Sequence, residues 1–183
     1  MKPALVAVAL LVAVAGCGGK KTTGPDQNTI PTYAVPSTPS LVLRNLELAY
    51  SRRDTTEYDS LFDDNYTGTS TEYDSGVSEV LDFTKADETA HIRALKRSTS
   101  ISMIRLQFPS TLQWYTDGFD PPGWATIGIT YLTLTIDDNP SSFNVSPTVL
   151  MAFKFSPTAP ATSSPTDTTW KIIRWTELRL PPF

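Results

Sequence analysis

His91 is the only histidine in the chain, and imidazole is the side chain whose ordinary pKa lies nearest neutrality. It shares an i, i+3, i+4, i+7 stripe with Glu88, Ile92 and Leu95. On a helix that spacing puts a carboxylate and an imidazole one turn apart on one face. Facing a cavity, Glu88 and His91, with Asp82 shortly before them, form a candidate acid–base group for an isomerase or dehydratase type of reaction. Flanking the stripe, they are ordinary solvated charges. No second base stands near His91 in the sequence, which weighs against an enzyme and leaves no catalytic residue assigned.

Two acidic pairs, Asp63-Asp64 and Asp137-Asp138, read as turn punctuation, because adjacent side chains on a helix or strand point apart. Asp137, Asp138 and Asn139 are too few oxygens for a calcium site. Trp114, Tyr115, Trp124, Tyr131, Trp170 and Trp175 enrich the C-terminal half in large rings. They are either a pocket for an apolar or ring-bearing ligand or, the stronger reading, the core under a curved sheet. There is no Gly-rich phosphate loop, G-x-S-x-G motif, Cys/His nucleophile pair or internal repeat.

Composition narrows the classes further. The chain has 183 residues with 15 Lys and Arg against 19 Asp and Glu, a formal net charge of −4. An acidic chain lacks the basic face that nucleic-acid binding needs, so no nucleic-acid partner is expected. One cysteine and one histidine exclude an intrachain disulfide and multi-ligand zinc sites. No metal or cofactor is expected.

The cysteine has a specific setting. Lys2 precedes an apolar run from Ala4 to Val14, and Val14-Ala15-Gly16-Cys17 follows. A short apolar segment ending in small residues reads as a secretory signal over residues 1–16. Val-Ala-Gly-Cys resembles the lipobox of bacterial lipoproteins, in which the cysteine is acylated and becomes the mature N-terminus. The alternative is an ordinary signal peptide with an incidental cysteine. The resemblance implies lipid attachment at Cys17 and a place in the bacterial cell envelope. Gly18 after the cysteine resembles the pattern that sorts Gram-negative lipoproteins to the outer membrane. Residues 17–37, rich in Gly, Pro, Thr and Ser, read as a flexible tether.

A single domain is expected over 38–183. Thr38-Pro39 is a helix start, and Val42, Leu43, Leu46, Ala49 and Tyr50 make its apolar stripe, with Arg44, Glu47, Ser51 and Arg52 opposite. A second helix is expected from Asp54 to Phe62, capped by Asp54 or Thr55. A short strand follows at 66–70, then an irregular loop over 71–81. Thr84 caps a third helix, about 85–97, with Asp87 and Glu88 in its first turn and Lys96 and Arg97 in its last. Alternating runs at 101–108, 127–136, 149–155 and 170–175 read as long strands. The first two change parity midway, which signals a bulge or a change of buried face. Helices first and strands afterwards argue an α+β domain.

This pattern resembles the NTF2-like (SnoaL-like, cystatin-like α+β) superfamily. The resemblance is carried by Thr38-Pro39-Ser40-x-Val42-Leu43-x-x-Leu46-x-x-Ala49-Tyr50, by Arg53-Asp54 and Tyr58-x-x-Leu61-Phe62-x-x-x-Tyr66, by Asp82 to Glu88, and by Trp170 to Trp175. It implies a cone of three N-terminal helices on a strongly bent, mostly antiparallel sheet, with a pocket between. It does not imply a reaction. The expected role is a membrane-anchored, non-enzymatic module that holds a small apolar ligand or pairs with a second copy or an envelope protein. An isomerase- or dehydratase-type enzyme and a purely structural lipoprotein are the alternatives.

Overall fold

Thr38 turns the chain into α1 (Pro39–Arg52): its hydroxyl accepts from the Leu41 amide at 3.3 Å, and Pro39 fills the first helical position. The computed structural model describes residues 32–74, 77–144, 149–158 and 168–179. The signal segment, Cys17 and tether residues 18–31 lie outside the described residues, as do 159–167 of the Pro/Ser/Thr stretch. Among the described residues no helix is long and apolar enough to cross a membrane.

Val42, Leu43, Leu46, Ala49 and Tyr50 are all buried, as their spacing requires. The opposite face of α1 is polar but not free. Ser51 Oγ accepts from the Leu106 amide at 3.1 Å, Glu47 accepts from the Phe108 amide, and Arg44 donates to the Phe108 and Ser110 carbonyls. A strand end is thus sewn to a helix by side chains that periodicity alone assigns to solvent. Arg53 ends α1 in the left-handed region (φ 55). Its guanidinium donates to the Ile101 carbonyl at 3.1 Å, a tertiary tie that holds an unfavourable backbone conformation.

The second helix, α2 (Thr55–Ser60), is shorter than expected. Asp54 is its cap, accepting from the amides of Thr56 and Glu57. Phe62, expected inside the helix, instead opens β1 (Phe62–Asp74), which forms a hairpin with β2 (Val77–Thr84). That hairpin overturns the irregular loop expected over 71–81. Its apolar alternation is broken, by Glu79 between Val77 and Leu81 and by Gly68, Ser70 and Glu72 after Tyr66, so the backbone ladder declares it more plainly than the pattern does. α3 (Lys85–Arg97) has the expected bounds, and Thr84 and Asp87 close a reciprocal capping box.

The parity switch in the next strand, β3 (Ile101–Gln107), is a bulge between Ile101 and Met103. The switch at 127–136 is larger. Ile127 and Ile129 belong to β4 (Ala125–Ile129), while Leu134 and Ile136 belong to β5 (Thr133–Asp138) in another sheet. The expected single strand is two, because the chain leaves one sheet at Thr130 and enters the other at Thr133. β6 (Ser141–Asn144), β7 (Val149–Thr158) and β8 (Thr169–Arg179) complete the described elements.

Among the described residues, five strands form a sheet in the order β2-β1-β8-β7-β4, and three form a second in the order β3-β5-β6. Their pairings are antiparallel except that of β1 with β8. The core lies between the helices and the larger sheet, around Phe62, Phe153, Phe155, Ile127, Ile172 and Ile92. The chain is already tied to this domain at residue 33, inside the segment read as tether. Tyr33 donates to Asp54 at 2.9 Å, Ala34 pairs both backbone groups with the Asn45 amide, and the Trp170 amide donates to the Pro36 carbonyl.

A candidate ligand cavity with a carboxylate at its polar end

On β1 the even-numbered residues Tyr66, Gly68, Ser70 and Glu72 point the same way, as strand alternation requires. They form one wall of a cavity of about 1150 Å³. α1 contributes Leu46 and Tyr50, α2 contributes Tyr58, and α3 contributes Glu88 and His91. β8 adds Trp175 and Glu177, and the second sheet closes the far side with Leu134 and Ile136.

Glu88 is the centre of the polar end. Tyr58 donates to one carboxylate oxygen at 2.8 Å and Tyr66 to the other at 2.9 Å. One turn along α3, His91 Nε2 lies 2.9 Å from the Tyr50 hydroxyl, with the two rings stacked at 5.8 Å. Phe62 is wedged between Tyr58 and Tyr66, its ring centroid 5.0 and 4.7 Å from theirs. The aromatic series from Tyr50 to Tyr66 therefore sets the position of both polar residues of α3.

Gly68 makes one of these bonds possible. A Cβ at this position would run into the Tyr66 hydroxyl. Tyr66 reaches Glu88 by lying across its own strand where only glycine leaves room. Trp175, beside Gly68 in the parallel register, stacks on Phe153 at 4.9 Å, and its indole nitrogen is buried without a hydrogen-bond partner. An orphaned buried donor is a costly feature.

Burial, and then the negative charge of Glu88, pushes the hydroxyl pKa values of Tyr50, Tyr58 and Tyr66 up. The phenols stay protonated and keep donating. Because folding raises these pKa values, the associated stability is fully present below the unfolded tyrosine value near 10 and is lost as pH rises above it. Absorbance at 295 nm should show these three of the seven tyrosines ionising only as the protein unfolds. In urea all seven should titrate together near pH 10. Ionisation of all seven in the folded protein near pH 10 would contradict the buried network.

The cavity brings Glu88 and His91 together, while Asp82 borders it with its carboxylate on the Thr69 face of the hairpin, opposite the face that carries Tyr66 and Ser70. Glu88 is half-buried, His91 is mostly exposed at the wall, and Asp82 stands on β2, where Thr69 donates to it at 3.3 Å. The other candidates go elsewhere. Asp64 pairs with Lys85 at 2.9 Å, and Asp137 accepts from Ser142 at 2.8 Å. Among the described residues no three His, Cys, Asp or Glu side chains converge to hold a metal.

The aromatic expectation is corrected. Of the six rings, only Trp175 lines the cavity. Trp114, Tyr115 and Tyr131 are largely exposed, Trp124 lies under the Arg174 guanidinium, and Trp170 packs at the core margin near Trp114. Trp114, Tyr115, Trp124 and Tyr131 lie outside the named strands, in the connections between them, and only Trp170 and Trp175 stand on a strand, β8. The other cavity rings are Tyr50, Tyr58 and Tyr66, with Phe83 and Phe108. A signal was present: tyrosine on a core stripe brings a hydroxyl that must find a partner.

No protein-family sequence model matches the chain, and no curated protein matches it in sequence. Solved structures do match. A protein from Planctomyces limnophilus superposes with a TM-score of 0.52 at 13% identity, covering 78% of this chain and 94% of its own. An NTF2-like protein from Rhodospirillum rubrum, of unknown function in nutrient uptake, gives 0.51 at 13% identity, covering 78% and 98%. A candidate dehydratase of the NTF2-like family from Streptomyces avermitilis gives 0.50 at 13% identity, covering 78% and 94%. With its helices against a curved, mostly antiparallel sheet and a cavity between them, the chain has the NTF2-like cone fold.

Proposed function

We propose that this chain is a lipid-anchored protein of the bacterial cell envelope whose domain binds a small, largely apolar ligand. The observation that carries the binding reading is the cavity itself: about 1150 Å³, with Leu106, Phe108, Leu134, Ile136 and Met151 on its walls and the Tyr58–Glu88–Tyr66 cluster at one end. Apolar walls with a few converging polar groups are the general form of a small-molecule site. The anchoring part rests on the Val14-Ala15-Gly16-Cys17 pattern. Two or three acyl chains hold a protein at a membrane as one does not.

Native mass spectrometry of the full chain from a bacterial host, followed by denaturing spectra, tests the binding part. A small molecule retained at fixed stoichiometry and released on denaturation is expected. A clean ligand-free mass from several growth conditions would favour a structural role. The same spectra report whether a second copy is bound. Anchoring is tested by Cys17→Ser: the native chain should sediment with membranes and carry an acyl mass, and the variant should do neither. An unacylated native chain in the soluble fraction would refute it.

A second reading, acid–base catalysis, is favoured by one observation, the placement of Glu88 and His91 one helical turn apart in the same cavity. It requires that a retained ligand be chemically altered on incubation and that His91→Gln stop the change without releasing the ligand.

A further inference from the structure

We propose that the ligand is an organic cation: an apolar body with an ammonium or similar positively charged group seated at Glu88. This rests on the ligand-binding reading above and adds the charge class.

The charges of the cavity wall are one-sided. Half-buried Glu88 and the exposed Glu72, Asp82 and Asp87 line it, and among the described residues no Lys or Arg does. His91 is the one described wall residue able to carry positive charge, and its Nε2 is engaged with Tyr50. Asp87 is occupied in the capping box with Thr84, and Asp82 accepts from Thr69. Charge of one sign around a concave space attracts its opposite. No three of these groups converge as a metal site among the described residues, so the potential suits a diffuse organic cation better than a bare ion.

Glu88 is built for that charge. Its oxygens each accept one tyrosine hydroxyl, which fixes the carboxylate in place, while an sp² oxygen retains a second acceptor direction. Tyr50, Tyr58 and Tyr66 are buried around it, and the last two hold the carboxylate in one position at the cavity end. Away from this end the wall is apolar, at Leu46, Leu106, Leu134, Ile136 and Met151, and would cover a hydrocarbon or ring.

Calorimetric titration of the full chain with three soluble probes of one shape tests the proposal: 2-phenylethylammonium, 2-phenylethanol and 3-phenylpropanoate. The ammonium should bind at least about tenfold more tightly than the alcohol, and the carboxylate should bind weakest. Glu88→Gln should bring the ammonium down to about the affinity of the alcohol, with circular dichroism and a urea titration showing that the variant is folded. Equal binding of ammonium and alcohol to the native chain overturns the charge class but leaves the ligand-binding reading standing. Tightest binding by the carboxylate reverses the charge class. Binding of none of the three counts against both.

Discussion

Phe62→Ala should cost about 3–5 kcal/mol, the range for emptying a fully buried aromatic position. Phe62 is fully enclosed. It starts β1, and its ring stands between Tyr58 and Tyr66. A domain of this size has about 5–15 kcal/mol in total, so the variant should unfold at much lower urea and melt roughly 6–20 °C earlier. The loss should also reach the cavity. With the spacer gone, the two tyrosines that hold Glu88 lose their fixed separation, and affinity for any cavity ligand should fall even below the melting point. Phe119→Ala is the control: that ring is fully exposed, and its removal should change stability by less than about 0.5 kcal/mol. Paired urea titrations decide the matter. A cost under about 1 kcal/mol at Phe62 would mean that the aromatic series is loosely packed and cannot position the site.

The contrast between α3 and the β1–β2 hairpin shows what a sequence of this kind reveals. α3 is legible because its signals are local: a capping threonine, acids in the first turn, bases in the last. The hairpin pairs Thr69 with Asp82 and Thr71 with Val80. One face carries Phe62, Tyr66, Leu81 and Phe83, but Gly68, Ser70, Glu72 and Glu79 interrupt it, so the order comes largely from backbone pairing between two segments. The 127–136 run fails for another reason. Its alternation is that of two good strands, and the sheet change at Thr130–Leu132 leaves only a parity switch behind, the same mark that a bulge leaves at Ile101–Met103. One symptom has two causes, and only tertiary structure separates them.

The site was half legible. Glu88 and His91 stand out by residue type and helical spacing. Tyr58 and Tyr66 do not, since their positions fit core stripes and the carboxylate they serve lies 30 and 22 residues away. Gly68 gives no hint of its purpose until the Tyr66 hydroxyl is seen where its Cβ would be.

The Glu88 network should prove a poor contributor to stability, and that outcome bears most directly on what the cavity is for. Glu88→Leu leaves two buried hydroxyls, those of Tyr58 and Tyr66, without acceptors, at about 1–3 kcal/mol each. The single variant should therefore be destabilised by roughly 2–6 kcal/mol. Tyr58→Phe and Tyr66→Phe added to it remove the orphaned hydroxyls and leave an apolar cluster of nearly the same shape. The triple variant should recover most of the loss, because replacing both sides of a buried polar contact by matching apolar groups is close to neutral. Urea denaturation of the native chain, the single and the triple variant gives the comparison. Recovery would mean that folding alone does not require a carboxylate here, and that Glu88 and its two tyrosines are retained for what they hold in the cavity. A triple variant as unstable as the single would instead make the network structural and remove the main support for a binding site at Glu88.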